Sequence, residues 1–267
     1  FEPQQLLEPL EAAIQGWEFG ESVPNPPGSD NIPEPGVYYV YKDDVPQGMV
    51  RLGHRTVDRD HPDSIAISVM NDILGGGGFT ARMMNRLRND EGLTYGVYTS
   101  FVRPSRYPGH FLTHFSTSGE TVALALRMAM EEIDKMRSGM VSEEELTTTQ
   151  NSFIETFPRT FESKPAMLGV FINDDWTGRD PNYWATYRER VRAVTRSEVQ
   201  VVAHEYLRPE NTAILVVGPW EDIYRGNINE VDPDRRASMA EFFGGEATQI
   251  SLRDPMTQEE LPAEGGG

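Results

Sequence analysis

The stretch LGGGGFTARMMNRLRNDEGLTYGVY, Leu74 to Tyr98, sets how the rest of the chain is read. An amphipathic helix over 62–74 is expected to stop at the four glycines Gly75, Gly76, Gly77 and Gly78, and a second helix to start near Thr80. At Gly92 the pattern changes to alternation. A strand there would place Leu93, Tyr95, Val97, Thr99 and Phe101 on one face, because side chains in a strand alternate with period two. Arg88 then closes a helix and Tyr95 opens a strand, seven residues apart across a tight turn. A guanidinium and a phenol placed in this way can point into one space, the first as a fork of donors and the second as a single hydroxyl. That combination suits a carboxylate, a peptide carbonyl or a developing oxyanion. At the same spacing an Arg can equally be a helix-terminal cation, and a Tyr a half-buried core ring.

Upstream, Phe1 to Trp17 has Leu6, Leu7, Leu10, Ala13 and Ile14 on one face of a helix, with Pro9 as a local objection. Residues 1–20 therefore read as the last helix of a preceding domain. Ser22 to Pro35 holds five prolines, and 21–36 reads as an extended linker. Strands follow at Val37 to Tyr41 and Gln47 to His54. Downstream, His110 to Phe115 alternates as a strand that would pair antiparallel with Leu93 to Phe101. A helix is expected from Thr121 to Met136, and two more behind the capping boxes Ser142/Glu145 and Thr195/Glu198. Ala166 to Trp176 and Tyr183 to Val194 read as further helices, and Ala213 to Val217 as a buried strand. Past Pro233 the pattern weakens, and 256–267 reads as a disordered tail. The fold class expected over 37–255 is α+β, a largely antiparallel sheet covered by helices.

The formal charge of −18, from 24 Lys and Arg against 42 Asp and Glu, argues against nucleic acid or an anionic membrane surface as partner and favours a basic or neutral peptide. Without cysteine there is no disulfide or thiolate chemistry, and no apolar run approaches the roughly 18 residues of a membrane span. The chain opens on Phe1, so its natural N-terminus is expected to be missing, and localisation stays open.

Five histidines are available for metal chemistry: His54, His61, His110, His114 and His204. His204-Glu205 begins a His-Glu-x-x-His pattern, but Arg208 stands where the second histidine belongs. His110 and His114 have helical ligand spacing on a strand, where four residues span roughly 13 Å and cannot share an ion. No metal site is expected in this chain. The run Gly75 to Gly78 follows a helix and lacks a Gly-Lys-Ser/Thr ending, which argues against a nucleotide loop. It could be a flexible hinge, a substrate-facing loop or the donor set of a free-standing anion-binding module.

Leu74-Gly75-Gly76-Gly77, Thr80-Ala81, Leu87-Arg88 and Gly92-Leu93-Thr94-Tyr95, in this order, resemble the second-domain signature of the pitrilysin/insulinase zinc peptidases. The extra Gly78, Thr80-Ala81 in place of two serines and Met83 in place of leucine depart from it. The resemblance implies the half-domain fold of that family and a non-zinc, substrate-binding half. In such a half Arg88 and Tyr95 hold substrate or stabilise an oxyanion, and Gly75 to Gly78 face the substrate. It also implies a zinc-bearing domain or subunit as partner, with the zinc there, and a peptide as substrate. The family's His-x-x-Glu-His is absent, so this chain alone is expected to cleave nothing. The alternative is a catalytically inactive scaffold or interaction subunit of the same family.

Overall fold

The computed structural model describes residues 2–18, 20–21, 24, 28 and 32–261, and the chain divides into two units at Asn31. In the first unit α1 (Pro3–Ile14) starts with a proline in its first turn, where a missing N–H removes no helical bond. Its apolar face of Leu6, Leu7, Leu10 and Ile14 is exposed, and none of its residues is buried. Half of the expected linker, and residues 262–267 of the expected tail, lie outside the described residues.

The second unit is built on a six-stranded sheet. Its strands are β1 (Gly36–Tyr41), β2 (Gln47–Arg55), β3 (Val97–Val102), β4 (His110–Ser118), β5 (Ala213–Gly218) and β6 (Ala247–Gln249), in the order β3-β4-β2-β5-β1-β6. β2 pairs antiparallel with both β4 and β5, and β4 pairs antiparallel with β3. Alternation decides the buried face. Val50 and Leu52 of β2 stand opposite Phe115 and Thr113 of β4, and all four are buried, while Met49 and Arg51 point away. β1 runs parallel to β5 and to β6, so the sheet is mostly rather than wholly antiparallel. β6 falls where the sequence pattern fades: a three-residue strand that pairs with a distant partner has no periodicity of its own to read.

The helices that cover the sheet are α2 (Ser64–Asn71), α3 (Arg82–Met84), α4 (Val122–Ser138), α5 (Glu143–Thr156), α6 (Lys164–Thr177), α7 (Tyr183–Ala193), α8 (Arg196–Tyr206) and α9 (Trp220–Arg225). α4, rich in Ala, Leu and Met, has the propensity for its length and buries Val122, Leu126, Ala129, Ile133 and Met136 along one stripe. Truncating fully buried Leu126 to Ala would cost about 2–5 kcal/mol. Both capping boxes form: Ser142 accepts from the Glu145 N–H, and Thr195 from that of Glu198. Residues 256–261 turn back so that Arg253 bridges Glu260.

Two local expectations need correction, and both bear on the site. The helix before the glycines does not stop there but continues as a π-turn, Asp72–Gly76. Gly75 is buried against β3, where a Cβ would sit 2.5 Å from Thr99 Cγ2, and the Asn71 amide donates to Thr99 O. The Gly77 N–H closes on Asp72 O at 2.8 Å. These glycines therefore allow close helix–strand approach rather than a hinge; Gly78, with φ +65°, is where the backbone turns.

The second correction concerns Tyr95. β3 begins at Val97, not Leu93, and the alternation slips between them. Thr94 is buried, its hydroxyl donating toward Gly96 O at 3.0 Å and Ser116 O at 2.8 Å and accepting from the Gly96 N–H. This side-chain turn stands in for ladder bonds and turns the next residue outward. Tyr95 does not share the core face of Val97 and Thr99 and is 89% exposed.

Candidate functional site

Thr80 to Asp90 positions the site. Met83, Met84 and Leu87 are buried and pin this segment to the core, so its polar residues leave on the outer side. The last turn, Asn85–Asp90, is π-helical, and Gly92 with φ +66° ends it. Three arginines lie along the segment. Arg82 is closed by a bidentate pair with Glu145 of α5, 2.5 and 2.9 Å. Arg86 pairs with Glu91 at 2.7 Å, and Glu91 also takes Arg235. Arg88 is different: among the described residues its guanidinium has no hydrogen bond and no carboxylate partner.

The Arg88 guanidinium carbon instead lies 4.8 Å from the centroid of the Phe79 ring and 5.1 Å from that of Tyr95. Both rings are exposed, Phe79 at 68%. Each cation–π contact at such exposure contributes about 0.5–1 kcal/mol, enough to orient the guanidinium and too little to satisfy its donors. The Tyr95 hydroxyl likewise has no partner among the described residues. The result is a shelf of two aromatic rings and a cation with five unspent N–H donors and a free phenol.

The structure brings Arg88 and Tyr95 together, as the spacing predicted, although through an outward loop rather than a shared strand face. Gly75 is buried, and Gly76 to Gly78 lead directly into Phe79. The Thr80 hydroxyl donates to Gly77 O, and the Asn85 amide to Thr80 O, which fixes this connection. Phe79 is the member of this shelf that sequence reasoning missed. Its available signal was an aromatic side chain placed straight after a glycine run.

Phe79 also walls a cavity of about 320 Å³ between the π-turn and the first half of α5, with Asp72, Ile73, Glu144, Thr148 and Thr149 among its lining. Thr149 Oγ1 donates to Asp72 Oδ2 at 3.0 Å, and burial pushes the Asp72 carboxyl above the usual carboxylate range. Glu145, at the edge of the same cavity, is held down to about 2, chiefly by its hydrogen bonds from Arg82.

The histidines stand apart from this region. His54 is buried and neutral: Nδ1 donates to Arg55 O at 2.9 Å, Nε2 accepts from the Arg208 N–H at 3.1 Å, and burial lowers its pKa. His114 packs on the Tyr98 ring, and His204 is exposed on α8. Among the described residues no three His, Cys, Asp or Glu side chains could hold a metal ion, and no described helix is long and apolar enough to cross a membrane.

Comparison with known proteins agrees with the fold. The chain is 27% identical over 181 residues to the non-peptidase homolog YmxG of Helicobacter pylori, spanning 66% of this chain and 41% of that protein. It is 27% identical over 191 residues to an uncharacterized zinc protease of Mycobacterium leprae, spanning 67% of this chain and 40% of that one. The chain thus spans about two fifths of the length of these curated relatives. Among solved structures, a peptidase M16 inactive domain from Pseudomonas fluorescens superposes with TM-score 0.69 at 23% identity, over 75% of this chain and 47% of that one. A protease from Helicobacter pylori superposes with TM-score 0.73 at 18% identity, over 82% and 53%. At these identities the two structures speak to the fold alone. The family described as the peptidase M16 inactive domain matches residues 1–153, and the chain belongs to it.

Proposed function

We propose that this domain is the substrate-holding, non-zinc half of an M16 metallopeptidase, and that it acts beside a zinc-bearing half on the same parent protein or on a partner subunit. One observation carries the reading. In a chain of net charge −18, with carboxylates closing Arg82 and Arg86, Arg88 is held on an exposed aromatic shelf with no anion of its own among the described residues. A cation oriented but unspent fits a peptide carbonyl or terminal carboxylate supplied from outside. The Tyr95 hydroxyl is placed to donate a second bond to the same peptide. On this reading zinc chemistry falls to the other half; among the described residues no three His, Cys, Asp or Glu side chains could hold the ion.

The test is peptide cleavage by the domain together with its zinc-bearing half. Arg88→Ala should lower kcat/KM by roughly 10- to 150-fold, the equivalent of the 1.5–3 kcal/mol of a hydrogen bond to a charged group. Arg88→Lys should not rescue, because an ammonium cannot reproduce the planar fork. If the Tyr95 hydroxyl meets the developing oxyanion, Tyr95→Phe lowers kcat; if it holds ground-state substrate, KM rises instead. Wild-type kinetics in both Arg88→Ala and Tyr95→Phe would remove the assignment.

The name of the Helicobacter relative, a non-peptidase homolog, favours a second reading in which the same shelf holds a peptide segment within an inactive assembly. The parent protein decides between the two: a His-x-x-Glu-His in its other half and measurable peptide hydrolysis support the first.

A further inference from the structure

The Phe79 ring that carries Arg88 is also a wall of the 320 Å³ cavity, so whatever lies on the shelf lies next to that cavity. Its other apolar wall is Ile73, and its polar side is Asp72, Glu144, Thr148 and Thr149. Asp72 sits at the turn from α2 into the π-segment, half-buried, with one oxygen receiving the hydroxyl of Thr149, itself only 5% exposed. Among the described residues no cation pairs with it, and Arg82, which reaches the Glu145 side of the same cavity, is committed to Glu145. A carboxylate removed from water without a counter-charge is unfavourable, and proteins ordinarily supply the partner. Here the cavity leaves room for one to enter. A metal ion fits poorly, since no three acidic or histidine side chains among the described residues converge on a point. A cation on an aliphatic stem fits well: Ile73 and Phe79 would cover the methylenes, and the carboxylate and threonine hydroxyls would receive the N–H donors.

We infer that this cavity is a specificity pocket for a lysine or arginine side chain of the peptide held by Arg88 and Tyr95, with Asp72 as its counter-charge and Glu144 on its rim. The inference rests on the proposed peptide-holding role of the shelf. It adds a substrate class, a peptide with a basic residue near the segment on the shelf, in keeping with the strongly acidic chain.

Two fluorescent peptides that differ only in lysine against norleucine test it, titrated against the full 267-residue chain by anisotropy. The lysine peptide should bind at least about tenfold more tightly, a difference of about 1.4 kcal/mol. Asp72→Asn, which can still accept from Thr149, should bring that preference close to one. Glu144→Gln, on the exposed rim and remote from the core, should reduce it roughly two- to threefold by weakening the local field, and it decides the matter if Asp72→Asn folds poorly. Arg88→Ala should weaken both peptides by the same factor. Equal affinity for the two peptides, with binding still lost in Arg88→Ala, overturns the pocket and leaves the shelf standing. A lysine preference that survives both Asp72→Asn and Glu144→Gln also overturns the pocket, since it would come from the field of the whole chain. Failure of both peptides to bind at millimolar concentration overturns pocket and shelf together.

Discussion

Arg82 and Arg88 are six residues apart on one short helical segment and have opposite fates. Arg82 turns inward to a bidentate pair with Glu145, a carboxylate that also completes the cap of α5 through the Ser142 N–H. Arg88 turns outward onto two exposed rings and meets no anion among the described residues. The same side chain is therefore a structural tie in one place and an unspent donor set in the other. The difference lies in what the surrounding elements supply: α5 brings a carboxylate to Arg82, whereas the glycine run and the Thr94 turn bring only aromatic rings to Arg88.

Stability should divide along the same line. Glu145→Ala removes the bidentate pair, half of a capping box and the counter-charge of a partly buried guanidinium, and it should cost about 2–4 kcal/mol in urea denaturation. Arg88→Ala loses only its two exposed cation–π contacts and should cost no more than about 1–2 kcal/mol, less than Glu145→Ala. Equal losses would erase the contrast.

Next in size is the glycine run. Gly75→Ala drives a Cβ into Thr99 and should cost about 1–3 kcal/mol, whereas Gly78→Ala meets open space and carries only the strain of its positive φ, about 1 kcal/mol. Thermal unfolding of the two variants ranks them; the reverse order would show that Gly75 is not a packing residue.

The smallest effects are in pH dependence, where the two carboxylates beside the shelf have opposite signs. Glu145 is lowered to about 2 from an ordinary 4.5, so the stability it contributes is fully present above about 4.5 and is lost as pH falls toward 2. Asp72 is raised by burial, so its ionised form works against folding above its own pKa, and protonation relieves this as pH falls. Melting temperatures of wild type, Glu145→Gln and Asp72→Asn across acid pH should therefore show the Glu145→Gln deficit shrinking on acidification. Asp72→Asn should be at least as stable as wild type at neutral pH and converge with it in acid.

Much of this contrast is legible in the sequence. The Arg88 and Tyr95 spacing, the capping boxes at Ser142 and Thr195, the stripe of α4 and the strands β1, β2, β4 and β5 all depend on local periodicity or on short motifs, and each forms. What escapes depends on partners distant in sequence. The packing role of Gly75 is not legible among the hinge, substrate-loop and anion-loop readings of the glycine run, because Thr99, against which it packs, is not in its neighbourhood. Tyr95 reads as sharing a strand face with Val97 because the alternation of Leu93, Tyr95 and Val97 conceals the hydroxyl of Thr94, whose bond to Ser116 of the neighbouring strand shifts the phase. β6 has three residues and a parallel partner at the far end of the chain. Phe79 acquires its role only where the π-turn sets it beside Arg88.

If Arg82 holds the fold and Arg88 holds a ligand, one paired measurement on Arg88→Ala tests that division most directly. Affinity for a lysine-containing peptide and the urea midpoint are determined on the same preparation. The expected result is at least about tenfold weaker binding with stability within about 2 kcal/mol of wild type. Unchanged affinity together with a stability loss as large as that of Glu145→Ala would contradict it.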